Sequence, residues 1–542
     1  MCTMLSREYP TVRSATSEII NLMAICGLPK GTEYFFSDLH GESEAFRYLL
    51  NSASGVVREK IDELFESTVS RADRDQLATL IYYPAEKLEE LRDEIDDMSE
   101  WYRITLHRLI EVCRLATSKY TRSKVRKALP PEYAYIIDEL LNTNYEVHDK
   151  KDYYENIINT IIDIDRAEDF IEAVCGVIKR MVVDQLHVVG DLFDRGPRAD
   201  IILDALMEHP NVDIQWGNHD VLWMGAATGS RTAVATVLAN SIHYNNLEVI
   251  ETGYGISLRP LALFANEVYK DCDCSCFQAK FAGDDAEHYT EKDKALAARM
   301  HKAVTVILFK LEGQKTLRNP GFGMEDRLLL DKIDYAHKCI TIGDVKYDLA
   351  DTDFPTVDRE HPYELSPEED EVIGQLTESF QRSEKLQKHV RFLYSKGGLY
   401  KVFNGNLLLH GCIPLTPDGQ IMKFSVVGCK DLGGRAFLDH AEKVARQGYY
   451  AKPGSPERLA GMDFLWFLWC GRNSPLFGRD RMTTFERRLI KDESSWSEPK
   501  NAYYTYYHDP AVCDALLAEF GLEGPHCHII NGHIPVKYKK GE

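Results

Sequence analysis

Asp38 and His40 sit one residue apart, so in an extended segment both side chains point the same way. Asp191 and Asp194 flank a turn that ends in Arg195-Gly196, and Asn218, His219 and Asp220 form another turn. His410 and His533 complete a set of carboxylate, imidazole and amide donors. Such a set, free of thiolate, suits Mn2+, Fe or Zn2+ better than a structural cysteine-type zinc site. Six potential ligands exceed the need of one tetrahedral metal and can serve two metals about 3.5–4 Å apart if one carboxylate bridges. A metal pair of this kind clamps a phosphoryl oxygen and activates a water for in-line attack. Crowding these anionic groups together without a cation is costly, so a purely structural role is the weaker alternative.

Five short apolar runs must position these residues: 34–36, 186–189, 212–216, 406–409 and 529–530. Each is rich in β-branched, aromatic or leucine residues and predicts a buried strand. Each runs at once into a polar cluster: SDLHG, GDLFDRG, GNHD, HGCIP and NGH. Polar loops at strand ends predict convergence on one site at the edge of a sheet. Between them the chain is long: 153 residues separate Asp38 from Asp191 and 190 separate Asp220 from His410. A crossover helix needs far fewer. The gaps predict insertions that cover the site, shape a pocket or assemble subunits, and an enclosed pocket suits a small anionic substrate better than a protein or duplex DNA. Residues 56–180 read as mostly helical, with apolar spacing of three and four over 57–65, 85–98, 101–118 and 153–164. Residues 345–372 are acidic, carry several prolines and predict a surface loop.

The 542 residues include 64 Lys+Arg against 85 Asp+Glu, a net charge of −21, with 44% hydrophobic and 27% charged residues. This composition is globular, and the length suggests about three or four domain-sized units or one core with large insertions. The charge argues against nucleic acid or an anionic membrane as partner, because both need a cationic surface. It leaves room for a phosphorylated substrate in a local cationic pocket. The start has no apolar stretch of signal-peptide length, and the most apolar window, 464–470, is too short to span a bilayer. Thirteen cysteines, an odd number, read as reduced thiols in a cytoplasmic protein. Cys272-Asp-Cys-Ser-Cys276 offers a metal or redox site, but no second pair with zinc spacing follows and a thiol-bearing loop is the better reading.

Weaker signals remain. Lys119, Arg122, Lys124, Arg126 and Lys127 offer an anion site or, preferably, a solvated helix face. Arg472 opens a loop punctuated by Gly and Pro and is a candidate for holding substrate phosphate, with a surface ion pair as the equal alternative. Trp466, Phe467 and Trp469 read as core. His107, His187 and His243 read as ordinary residues, and neither His526 nor His528 is expected to be a ligand.

Asp38-Leu-His40, the 190–196 run, Gly217-Asn-His-Asp220, His410 after its apolar run and the late Gly532-His533 together resemble the calcineurin-like metallophosphoesterases. The resemblance implies that Asp38 and His40 bind a first metal, that Asp191 bridges, and that Asn218, His410 and His533 complete a second. It also implies that Asp194 orients His219 as proton donor to the leaving oxygen and that Arg195 grips phosphate. The implied fold is α/β, with two packed mixed sheets flanked by helices. Its core would be discontinuous (18–55, 181–224 and 401–542), with a helical insertion at 56–180 and a second insertion at 225–400. Substrate stays open at this level.

Longer segments narrow it. Residues 18–42, 118–136, 184–197, 212–226, 324–335, 404–414, 474–487 and 517–537 resemble the class 3 fructose-1,6-bisphosphatases of bacteria. This implies hydrolysis of the 1-phosphate of fructose 1,6-bisphosphate in gluconeogenesis, with two divalent metals, Mn2+ expected, in a cytoplasmic enzyme and a possible homo-oligomer. The alternatives are a dinucleoside polyphosphate or protein phosphatase with the same site, an inactive scaffold relative, and, against the charge, a nucleic-acid phosphodiesterase. The family runs on past the point where this chain stops, nine residues after His533. A missing strand there would bare a sheet edge, with lower stability or activity as the expectation.

Overall fold

The computed structural model describes residues 2–29, 31–142, 148–281 and 289–535. The chain is mixed α/β, mostly helical, with several small sheets. It divides into two compact units, one of Met1–Tyr34 and Glu44–Leu186, the other of Phe35–Ser43 and His187–Glu542.

The first unit is built from helices. Those at Val56–Phe65, Pro84–Glu94, Met98–Thr117 and His148–Asp163 follow the apolar spacing. Ser70 and Asp97 cap helix N-termini by accepting from the backbone N–H three residues on. Ile81, Leu106, Leu109, Val112, Phe170 and Ile178 meet in one buried cluster. The basic stretch is spent on internal pairing. Lys124 pairs with Asp184, Arg122 and Arg126 both reach Asp138, and Lys119 donates to Thr32.

Among the described residues there are three sheets. A four-stranded sheet has the order β1 (Glu33–Phe36), β2 (Gln185–Val188), β3 (Val212–Gln215) and, parallel to β3, the two-residue strand Gly397–Gly398. In the second sheet Asn406–Leu409 lies between Tyr400–Phe403, antiparallel to it, and the edge strand His528–Asn531, parallel to it. All five expected strands are there. The third sheet is an antiparallel set of Ile333–Asp334, Cys339–Ile342 and Val345–Asp348.

That third sheet corrects the expected loop at 345–372. Gly343, at φ 60°, lets the chain turn back so that Val345–Asp348 pairs with Cys339–Ile342. At the other end, Ser366 and Glu369 form a capping box that starts the helix Pro367–Arg382. The acidic residues are partly structural: Glu369 is fully buried against Lys310.

The second unit's core is helical too. All eleven residues of Asn218–Thr228 are buried, and the 28-residue helix Glu291–Arg318 is buried over most of its length. Trp466 and Phe467 are core, as expected. Among the described residues no helix is long and apolar enough to cross a membrane, and every cysteine described is free.

Candidate metal centre

The loops that leave the strands meet. Asp38 N–H donates to Gly190 O (3.0 Å), His40 N–H to Asp191 O (2.8 Å) and Gly532 N–H to His410 O (3.0 Å). The backbone turns sharply here. Asp38, His40, Asp191, Asp194, Arg195 and His533 all have φ between 43° and 70°. Left-handed conformations at non-glycine residues cost of order 1–3 kcal/mol each and persist where the surroundings enforce them. Glycine is needed where backbone passes a ligand: a Cβ on Gly217 would fall on Asp191 Oδ1, and one on Gly190 would fall on His410 Nδ1.

Asp191 is the hub. It brings a ligand atom within 4.8 Å of those of His40 and His219 on one side and of His410 and His533 on the other. Its Oδ2 lies 3.8 Å from His40 Nε2 and 3.3 Å from His410 Nε2. Asp38 Oδ1 is 4.0 Å from His40 Nε2, and Asp38 Oδ2 accepts the His533 backbone N–H at 3.1 Å. Each imidazole is oriented through its far nitrogen: His40 Nδ1 on Phe193 O (2.9 Å), His410 Nδ1 on Val189 O (2.8 Å) and His533 Nε2 on Phe477 O (2.9 Å). Such bonds leave the near nitrogen free for a metal. Asn218 Oδ1 is buried without a hydrogen-bond partner, an acceptor that lacks its positive group.

The electrostatics agree. Burial lowers the His533 imidazole to about 3, with help from His410 at 3.2 Å. Burial also opposes charge on His410, but Asp191 outweighs it and raises that imidazole to about 9. Burial works against a charged Asp191 as well, yet the surrounding histidines hold its pKa below the usual carboxylate range. Neighbouring imidazoles driven apart around one buried carboxylate mark a place where a cation belongs. The residues therefore fit a divalent metal pair.

His219 has a different setting. Its Nδ1 meets Asp194 Oδ2 at 2.7 Å. Asp194 is itself fixed by Trp223 Nε1 (2.8 Å) and Asn240 Nδ2 (3.3 Å). Burial lowers the His219 pKa, and Asp191 and Asp194 more than restore it. Asp220 accepts the N–H groups of Gly217, Asp191 and Leu192 and so clamps two loops. Trp469 is buried as expected, and its ring stands edge-on to His219 at 4.8 Å.

Arg195 is exposed, at φ 70°, in the loop after Asp194. Arg472 is not brought into the ligand cluster; it makes a half-exposed ion pair with Asp480 at 3.6 Å. His187 is buried on Asp213, His107 faces Glu155, and His526 and His528 are exposed. Cys272, Cys274 and Cys276 form no metal-holding group among the described residues. Trp223 and Asn240 escaped sequence reasoning because each lies inside a helix with no motif of its own. The Trp one helical turn after His219 was the available signal.

A buried carboxylate shared by two imidazole pairs, one imidazole of which is held by a separate carboxylate, is the donor arrangement of a metal-dependent hydrolase. The chain belongs to the Firmicute fructose-1,6-bisphosphatase family, whose model matches residues 1–542. It is 51% identical over 540 residues to the fructose-1,6-bisphosphatase class 3 of Clostridium botulinum (strain Langeland), covering 99% of this chain and 80% of that relative. It is also 51% identical over 539 residues to the protein of the same name from Clostridium tetani, covering 99% and 81%. No solved structure matches the chain.

Proposed function

We infer that this enzyme hydrolyses the 1-phosphate ester of D-fructose 1,6-bisphosphate, giving fructose 6-phosphate and phosphate in gluconeogenesis in the cytoplasm. The observation that carries the reading is Asp191, shared between two ligand sets in a chain of this family. The strands and the loops that leave them support a calcineurin-like core of two packed mixed sheets. Asp38 and His40 would hold one divalent metal, Asn218, His410 and His533 a second, and Asp191 both, with Mn2+ the expected ion. When bound, the pair supplies Lewis acidity to the phosphoryl oxygens and an activated water.

The protein's own groups do the rest. His219 donates a proton from Nε2 to the departing sugar oxygen, which would otherwise leave as a poorly stabilised alkoxide. Asp194 keeps the His219 proton on Nδ1 and stabilises the charged ring. Arg195 pairs with a phosphoryl oxygen through its guanidinium. Trp469 and the buried wall behind His219 exclude bulk water.

The test is phosphate release with Mn2+ from fructose 1,6-bisphosphate, beside fructose 6-phosphate, a diadenosine polyphosphate and a phosphopeptide. Selective release from the bisphosphate, abolished by chelator, is expected. Selective release from another substrate would overturn the assignment.

A further inference from the structure

A bisphosphate has a second phosphate to be held, and the ligand cluster accounts for one. Behind His219 lies a separate cavity of about 50 Å³, room for on the order of three or four water-sized groups. Two of its walls belong to the site already described. Trp469 stands against His219 at 4.8 Å, and Asn240 donates to Asp194. The cavity therefore begins one aromatic ring away from the reacting end.

Its chemistry suits an anion. Arg488 lines it, and among the described residues this guanidinium has neither an ion pair nor a hydrogen bond. Burial lowers its pKa to about 10, and the groups that oppose the fall are Tyr244 and Cys276, neither of them a carboxylate. Thr305 also lines the cavity, 1% exposed, and its hydroxyl has no hydrogen-bond partner. A buried donor left unmade costs free energy unless a ligand completes it. Glu312 is the one carboxylate in the lining, and Arg327 is paired to it. Arg488 is thus left as the uncompensated charge of the wall.

We propose that this cavity seats the phosphate that is not cleaved: Arg488, the Thr305 hydroxyl and the Asn240 amide bind the 6-phosphate of the bisphosphate while its 1-phosphate lies at His219 and the ligand cluster. The proposal rests on the substrate inferred above. It makes Arg488, not Arg472, the arginine that selects a sugar carrying two phosphates.

Steady-state kinetics on the Mn2+-loaded enzyme test it, with fructose 1,6-bisphosphate and fructose 1-phosphate compared in the wild type, Arg488→Met, Arg488→Lys and Thr305→Val. Wild type should favour the bisphosphate in kcat/KM. Arg488→Met should reduce that preference by about 100-fold, and Arg488→Lys should restore part of it. Thr305→Val should raise KM for the bisphosphate about tenfold without lowering the urea midpoint, since the hydroxyl it removes has no partner in the protein. A purely structural arginine would lower kcat/KM for both sugars by one factor, and that result, or an unchanged KM in Thr305→Val, overturns the subsite. If Arg488→Met does not fold, Thr305→Val alone decides. No phosphate release from the bisphosphate by the wild type overturns the subsite and the inferred function together. Release with the preference intact in both variants overturns the subsite alone.

Discussion

Asp194→Asn separates proton transfer from metal binding. Asp194 lies in neither ligand set, yet its Oδ2 meets His219 Nδ1 at 2.7 Å. The amide keeps the shape and can still accept from Trp223 Nε1 through Oδ1. Its NH2 then faces two donors, the His219 Nδ1–H and the Asn240 amide. His219 must turn or move its proton from Nδ1 to Nε2, and the charged ring loses its carboxylate. A hydrogen bond to a charged group contributes about 1.5–3 kcal/mol, equivalent to roughly 10- to 150-fold in rate. We expect kcat for fructose 1,6-bisphosphate to fall by at least that range, KM to move little, and bound metal to stay at the wild-type level. Kinetics and elemental analysis on the same preparation read all three. Loss of metal in step with activity would refute the reasoning, because Asp194 would then be part of metal assembly. Unchanged kcat would show that His219 does not depend on it.

Gly217→Ala should lose metal and about 100-fold or more of activity while retaining its helical circular dichroism, because the new Cβ displaces Asp191; full metal occupancy would contradict this. Glu369→Ala should lower unfolding free energy in urea by about 3–5 kcal/mol, since it strands the fully buried Lys310, 2.6 Å from the carboxylate it loses. A loss below about 1 kcal/mol would show the pair to be dispensable. Burial, with Arg488 next, holds His301 well below 6.5, so the unfolded chain binds a proton that the folded chain does not. Stability of the chelated protein should therefore fall as pH drops below about 6.5, by up to about 1.4 kcal/mol per pH unit from this group. Urea midpoints from pH 7 to 5 should show a shallower slope in His301→Gln, and an identical slope would remove His301 as the cause.

The strand ends and the donor residues were legible because their signal is local. A short apolar run followed at once by Asp, His, Asn and Gly needs no knowledge of the rest of the chain. What could not be read was tertiary. Val345–Asp348 is mostly exposed and half charged, so its apolar pattern is too weak to announce a strand, and the pairing with Cys339–Ile342 decides it. The helix Glu291–Arg318 shows no apolar face, because its lysines are buried through pairing: Lys302 with Asp351, Lys310 with Glu369 and Lys315 with Asp463. Partners 49, 59 and 148 residues away carry no local signature. Arg472 reads from sequence as an even choice between a phosphate grip and a surface ion pair, and no motif singles out Arg488. Only the nearby Asp480 shows that the first already has a carboxylate.

In the function inferred above, Asp191 joins two metals in one catalytic centre. Anomalous diffraction at the manganese edge, from crystals of the Mn2+-loaded protein, tests it most directly. Two peaks that share Asp191 are expected, one beside Asp38 and His40, the other beside Asn218, His410 and His533. A single peak, or manganese bound away from Asp191, would contradict it.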